Sequence, residues 1–481
     1  MATISTSGAY SQPTLSSPGI GSGLDVNGIV TKLVALERQP LTRLQQTASD
    51  LQARFSAVGQ IKSQVSNLSD QLTRLADLTG WGGMTLNSSN SAAVSGSATS
   101  SAVPGTFSVN VTQLAKAQSA GSTPVAVDSV VGTGNLTIGI GTWSGNVFTA
   151  KAGTTPVTVA ITAADNTMSK IAAKINAANA GVTATVLRDA TGERLLVRSS
   201  ATGADAGFRV QADNASLTIV TYDPAAGAGG MSLTQAGLNT NATINGVAVS
   251  SATSTLTGTI PGLTLQLNQV TTTPVDVTVA TDVASIKSNI NAFVSSYNAL
   301  SNGLAEMTRY DPVKKTAGTL QGDPTAVNLL SAMRRLVGGS GPVGNAYGRL
   351  SDLGIQFQSD GTLSVNATKL DTALGNNLAA VRDFFTATGA SAATQGIAVQ
   401  IKSFAQGILA SGGTLTSKSD SLQKMIARNS DDQTRVSNHA SQVEAQLRAQ
   451  YSRLDTQLGS LSALNSYVAQ QVTTWNKQTG N

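Results

Sequence analysis

From Leu415 to its end this chain contains no proline and only two glycines, Gly459 and Gly480. Along that stretch an apolar side chain returns at every seventh position: Ala440, Leu447, Leu454, Leu461, Val468 and Trp475. Val436, Val443, Tyr451, Leu458, Leu464 and Val472 flank the column, and from Lys418 to Asp455 charges of both signs interleave, as on a solvated helix face. One stripe on one long helix cannot close a core by itself. The tail must meet a partner stripe, on the N-terminal helices, on another subunit or on both.

The other end of the chain offers such stripes. Asp25 is placed to cap a helix because its carboxylate can accept from the orphan amides of a first turn. Ile29, Leu33 and Leu36 then follow at helical spacing up to Pro40, which ends or kinks the helix. A second helix carries Leu44, Ala48, Leu51, Phe55 and Val58, slips at Ile61, resumes through Val65, Leu68, Leu72 and Leu75, and closes at Gly80. It would be about 55 Å long. A bundle-core helix and a coiled coil satisfy this pattern equally.

The middle of the chain changes character. No charged residue occurs from Thr85 to Ala115, or between Asp223 and Asp276. Thr106–Val111, Leu263–Leu267 and Val275–Val279 alternate apolar with polar residues, the mark of strands with one wet face. One helix interrupts them, with Asp165 as its expected cap, Ile171 and Ile175 as its apolar face and Gly181 as its stop. Ile175-Asn176 and Ile244-Asn245 sit at comparable junctions, a hint of related substructures. Helical spacing then returns without error in Ile286, Ile290, Phe293, Tyr297, Leu300, Leu304 and Met307, between Asp282 as cap and Asp311-Pro312 as stop. Asp360-Gly361 between alternating apolar residues predicts a two-residue hairpin loop. Leu370, Leu374, Leu378 and Val381 predict one more amphipathic helix.

Catalytic chemistry finds little to stand on. The chain has 481 residues, one His and no Cys, which excludes disulfides and thiolate metal sites and leaves His-based acid–base work improbable. His439 reads as a solvated or seam residue. The adjacent Asp431-Asp432 point to different sides of a helix and cannot make a glycosidase pair. Gly19-Ile20-Gly21-Ser22-Gly23 lacks the phosphate-loop spacing and reads as a hinge before a capped helix. Arg334-Arg335 and Lys314-Lys315 are surface doublets, and a formal charge of +5 spread over the chain gives no nucleic-acid footprint. Trp81, Trp143 and Trp475 read as local anchors. No cofactor or metal is implied, and no run of about 18 apolar residues would span a membrane. Met1–Ser17 lacks the basic and apolar regions of a signal peptide, so export would need a route without a cleaved leader.

Several motifs in register carry a resemblance. Gly19–Asp25, Ile29-Val30, Leu33–Glu37 and Pro40-Leu41 are similar to the N-terminus of the flagellar filament cap family, also called flagellar hook-associated protein 2. Gly105–Ala115, Phe293-Val294 with Tyr297-Asn298, Leu320–Asp323, Leu353–Ile355 with Gly361–Leu363, and Tyr467–Gln471 continue the match. Between about 126 and 240 only Ile175-Asn176 and Gly181-Val182 resemble the hook-protein motif that the family shares.

The resemblance implies an α+β multidomain fold. Residues 1–40 and 405–481 would form flexible coiled-coil legs, and 41–84 with 281–404 a helical-bundle domain carrying a small β-hairpin. Residues 85–125 with 241–280 would form a β-rich head, and 126–240 an inserted outer head with one helix. The implied function is non-enzymatic: a homo-oligomeric ring at the distal tip of the extracellular filament, beneath which exported flagellin folds and inserts. Implied partners are flagellin, further copies of the chain, the flagellar type III export machinery and an export chaperone at the C-terminus. A hook–filament junction or filament subunit, and a surface adhesin acting through the head, are the competing readings. The expected assembly interface comprises Leu24, Ile29, Leu33, Leu36, Val436, Val443, Leu447, Leu454, Leu458, Leu461, Val468 and Trp475. Modest burial along such stripes suits reversible contacts, and the termini are expected to order on assembly.

Overall fold

The structure, a computed structural model, describes residues 25–227 and 230–478. The chain divides into two compact units, Met1–Asp77 with Ser288–Asn481, and Leu78–Lys287.

The first unit opens with α1 (Val26–Glu37) and α2 (Gln39–Ala76), separated by Arg38 alone. Pro40 lies in the first turn of α2, where its missing N–H removes no helical bond. The 38 residues of α2 bury Leu51, Val58, Ile61, Val65, Leu68, Leu72 and Leu75 on one face. Ile61 is therefore part of the seam rather than a slip in it. Two successive three-residue steps, from Phe55 through Val58 to Ile61, stay on one face of a helix with 3.6 residues per turn.

The second unit begins with β1 (Met84–Ser88), β2 (Val94–Ala98) and β3 (Gly105–Gln113). An excursion follows: β4 (Ser119–Gly121), β5 (Gly134–Ser144), β6 (Val147–Ala150), β7 (Val157–Ile161), α3 (Met168–Ala177), β8 (Val182–Asp189), β9 (Gly192–Ser199), β10 (Gly207–Ala212) and β11 (Ser232–Gln235). The chain then returns through β12 (Thr240–Ile244), β13 (Val247–Ser251), β14 (Thr255–Thr257), β15 (Leu263–Leu267) and β16 (Val275–Thr281).

A five-stranded sheet in the order β1-β16-β3-β12-β13 and a three-stranded sheet, β14-β15-β2, enclose a core that includes Val94, Val109, Leu265, Leu267, Val275 and Val277. Every second residue of β15 and β16 is buried, as their alternation predicts, with Leu263 and Val279 in a smaller cluster with Ala102. The excursion forms two more sheets, β11-β4-β9-β8 and β10-β5-β6 with β7 also on β5. Leu136, Ile138, Ile171, Ile175, Val197 and Phe208 belong to its core. Trp143 is half-buried there, its Nε1 donating to the Phe208 carbonyl at 2.9 Å and its ring beside Phe148 and Tyr222. Glu193 is fully buried, but Arg188 Nε pairs with it at 3.1 Å and the Asp128 amide donates to it, which removes the cost of a lone charge.

Three local expectations fail in this unit. Asp165 does not cap α3; that position is Thr167, while Asp165 accepts from Thr162 Oγ1 at 2.7 Å and pairs with Lys174 at 3.2 Å. The helix stops at Ala177, ahead of Gly181, where Asn179 takes a positive φ. The two Ile-Asn pairs are unrelated. Asn176 ties the end of α3 to both backbone groups of Ala184, whereas Asn245 and Gly246, with φ of 49° and 83°, form the two-residue turn between β12 and β13.

The remaining elements are α4 (Val283–Thr308), β17 (Tyr310–Asp311), β18 (Thr316–Ala317), α5 (Pro324–Val337), β19 (Ile355–Phe357), β20 (Leu363–Val365), α6 (Ala367–Asn376), α7 (Leu378–Thr386), α8 (Ile397–Leu409) and α9 (Thr414–Gln478). Ile286 to Leu304 bury their stripe as spaced, and Asp282 caps α4 by accepting from the Ser285 amide at 3.0 Å. Along the flank of the 4-3 stripe, Asn298 accepts from the Leu363 amide at 2.7 Å and donates to its carbonyl at 2.8 Å. Ser301 donates to the Gly361 carbonyl at 3.0 Å, so α4 clamps the β19–β20 hairpin.

That hairpin differs from the expected two-residue loop. Phe357 pairs with Leu363, and of Asp360 and Gly361 only Gly361 has a positive φ, at 90°. Asp360 instead accepts from the Thr362 amide at 2.8 Å and its hydroxyl at 2.7 Å, a side-chain turn that replaces the backbone one. The single helix expected over Leu370–Val381 is two, α6 and α7. Asn377, with φ −154°, interrupts the helix and caps the second by accepting from the Ala380 amide at 2.9 Å.

Candidate functional site

The site is built on α1 and α9. Asp25 accepts from the Gly28 amide at 2.8 Å and starts α1. Val30 and Val34 on α1 and Ala440 on α9 are buried together, flanked by Val26, Leu447 and Tyr451. Arg448 Nη1 donates to Asn27 Oδ1 at 2.9 Å, Arg38 lies 3.6 Å from Glu444, and His439 Nδ1 lies 3.8 Å from Glu37. Residue 27 opposite 448 and 37 opposite 439 means that the two helices run antiparallel. The small side chain of Ala440 is what lets the two valines approach. Two buried valines supply about 3–6 kcal/mol of gross apolar burial. Fixing twelve backbones costs more than that on its own, so the α1 seat depends on the helix's own backbone bonds, and the exposed polar contacts add little.

The expected interface residues fall into three groups. Leu24 lies outside the described residues. On α1 the stripe read from spacing is not the seated one: Ile29 is half-buried and Leu33 and Leu36 are 39% and 60% exposed, while Val26, Val30 and Val34 face α9. A three-turn helix reading VNGIVTKLVALE has apolar residues on two adjoining faces, and spacing alone does not tell which one the partner takes. On α9 the fate of the stripe changes along its length.

The first half of α9 is packed within its unit. Leu415, Leu422 and Asn429 are buried at seven-residue spacing, and Val436, Val443 and Leu447 are half-buried. Asp323, the last residue of the Leu320–Asp323 motif, anchors the start: it caps α5 through the Thr325 amide at 2.9 Å and pairs with Lys418 Nζ at 2.5 Å. Burial alone would raise its carboxyl, but Lys418 and the two backbone amides outweigh that and hold it below the usual carboxylate range.

The second half is open. Leu454 is 42% exposed, Leu458 half-buried, and from Leu461 on every residue with a described side chain is exposed, Leu461 to 65% and Trp475 to 72%. Leu454, Leu461, Leu464, Val468 and Val472 thus form a long exposed apolar strip. Such a strip marks an interaction surface. Among the described residues there is no cluster of three metal-ligating side chains and no helix long and apolar enough to cross a membrane.

Comparison with known proteins decides the family. Residues 22–118 match the profile of the flagellar hook-associated protein 2 N-terminus, 237–463 that of its C-terminus, and 147–201 the flagellin hook IN motif. The B-type flagellar hook-associated protein 2 of Pseudomonas aeruginosa is 30% identical over 470 residues, covering 93% of both chains. This chain belongs to the flagellar hook-associated protein 2 family. The Escherichia coli K12 flagellar hook-associated protein 2 is 29% identical over 95% of this chain and 98% of its own. The crystal structure of the D1-D2-D3 domains of the E. coli flagellar cap protein FliD superposes with a TM-score of 0.59 at 27% identity, covering 76% of this chain and 99% of that one. Membership makes the chain a component of the flagellum, and its mixed architecture of β-sheet units with a long C-terminal helix is that of the cap protein. The exposed strip of α9 runs on past residue 463, where the C-terminal profile ends.

Proposed function

We infer that this chain is the subunit of the flagellar filament cap. Several copies form a closed ring at the distal, extracellular tip of the filament, and exported flagellin folds and inserts beneath it. The supporting observation is the exposed strip from Leu454 to Val472, continuous with a stripe that is already used within the chain at Ala440 and Leu447. The exposed Leu33 and Leu36 of α1 add a second apolar face, level with the Ala440 end of α9 rather than with the strip. Together these surfaces serve as legs that grip flagellin and sister subunits and release them again.

In this reading residues 1–40 with 405–481 act as legs, 41–84 with 281–404 as the bundle that holds them, and 85–125 with 241–280 and the 126–240 insertion as the head. Delivery is through the type III export machinery, with an export chaperone on the C-terminal helix, and no catalytic step is involved. Deleting residues 452–481 in the source bacterium tests the reading. The expected outcome is monomeric flagellin in the medium and bare hooks, and filaments of normal length and number would reject it. The mass of the purified full-length oligomer separates a small closed ring from the open fibre of a filament subunit.

A further inference from the structure

A cleft of about 600 Å³ lies in the helical unit between the middle of α2, the end of α4 and the β17–β18 hairpin. That volume is in the range of ligand-binding sites. Ala53, Ala57 and Gly303 keep its floor low. A Cβ at Gly303 would stand 2.9 Å from Gln64 Oε1, so a side chain there would displace the Gln64 amide. Gln64 Oε1 is itself buried and has no hydrogen-bond partner, in a wall of the cleft. An acceptor in that condition asks for a donor. Around the rim Glu306, Arg309 and Lys314 mix the two signs of charge rather than favouring one.

The hairpin wall is preformed. The Leu320 amide donates to the Met307 carbonyl at 2.8 Å and the Gly318 amide to the Arg309 carbonyl at 2.9 Å. With Tyr310 opposite Ala317 and Asp311 opposite Thr316, the alternation of an antiparallel ladder turns the backbone N–H and C=O of Ala317 away from β17. Ala317 is exposed and lines the cleft, so β18 offers it an open strand edge.

A free strand edge, an unpartnered amide carbonyl, a shallow floor of small residues and balanced charge suit one kind of occupant. We propose that this cleft binds an extended segment of an unfolded partner polypeptide, which adds its backbone to the edge of β18 and, as the Gln64 side chain turns outward, donates an N–H to its amide oxygen. Small, uncharged side chains (Ser, Thr, Asn, Ala) fit the floor, and strand addition explains why no apolar anchor pocket is needed. This goes beyond the cap reading and does not depend on it.

The test uses the full-length chain and a fluorescein-labelled, end-blocked 12-residue peptide of Ser, Thr, Asn and Ala, read by fluorescence anisotropy. A second peptide carries N-methyl groups at alternate residues, which removes half of its N–H donors. A third, of Ala, Glu and Lys, is helical. The Ala53→Trp variant fills the cleft from an exposed position, and Gln60→Trp, also exposed, replaces it if Ala53→Trp unfolds. Binding of the plain peptide that weakens five-fold or more both on N-methylation and in the variant, with an unchanged unfolding midpoint, supports the proposal. It is overturned if the plain peptide does not bind at millimolar concentration, if either change weakens it less than five-fold, or if the helical peptide binds more tightly.

Discussion

Leu461→Asp separates a surface that works in the monomer from one that works only in the assembly. Leu461 is 65% exposed and lies ten residues beyond Tyr451, the last residue seated against α1. In the isolated chain the substitution removes almost no buried area, so unfolding stability should change by less than about 0.5 kcal/mol. In the assembled cap the same leucine would be covered, and full burial is worth about 1.5–3 kcal/mol. A carboxylate in its place adds a desolvation cost on top of that loss. Association should therefore weaken at least about 10- to 150-fold per contact. Thermal unfolding at low protein concentration reads the first quantity, and mass photometry across a dilution series, with filament counts in cells, reads the second. A monomer whose unfolding midpoint falls by several degrees would mean that the strip is sealed within its own chain. Normal oligomers and normal filaments would refute the reasoning from the other side.

Ala440→Asp, at the buried seat of Val30 and Val34, should destabilise the isolated protein by about 2–4 kcal/mol and free α1, seen as lost amide protection over residues 26–37. Hydrogen exchange on the monomer should be fast over 454–475 and slow over 286–307; equal protection of the two would sink the leg reading. Asp323 titrates below its ordinary value of about 3.9. A depressed carboxyl stabilises fully above the unfolded pKa and loses that contribution as pH falls through the folded one. Stability of the helical unit should therefore drop below about pH 4, and Lys418→Met should reduce that drop, as acid titration followed by circular dichroism would show. Asn429→Leu should raise the midpoint by about 2–4 °C, because a buried seam amide gives way to apolar packing, at a cost in fixed register.

Where the sequence read correctly, one spacing was satisfied along a whole element. The 4-3 stripe of α4 is buried from Ile286 to Leu304 because the helix is packed along that length, so periodicity and environment agree. The alternation of β15 and β16 was legible for the same reason. Misreadings came where a local side-chain bond competed with the pattern. Asn377 breaks a helix whose apolar phase continues through Leu374, Leu378 and Val381, because a capping amide can end one helix and start another without disturbing the stripe. Asp360 folds its loop with its own carboxylate, and the true two-residue turn lay at Asn245-Gly246, in a segment read only for its Ile-Asn pair. The cleft beside β18 left no signal at all, since Gln64 and Gly303 are distant in sequence and carry no motif.

The misassigned face of α1 and the open half of α9 have one physical origin. Hydrophobic spacing marks residues suited to burial but not what covers them, and in α1 and α9 covered and exposed apolar positions alternate along and around the same rod. Ala440 shows how the chain divides them: a small residue in an otherwise leucine-rich column admits α1 closely at one level, while the leucines at 454 and 461 in the same column are left standing. If every position in the column were large, α1 would be held off and Val30 and Val34 would stay wet. If every position were small, the strip beyond Tyr451 would offer a partner little to bury. In one heptad column Leu415 and Leu422 are sealed and Val443 half-covered, and in the adjoining one Ala440 is sealed, Leu447 half-covered and Leu461 exposed, so a single two-column stripe is anchored within the chain at its start and open at its end. Exchanging Ala440 with Leu454 would invert that order, and should cost the monomer its α1 seat and the assembly part of its edge at once.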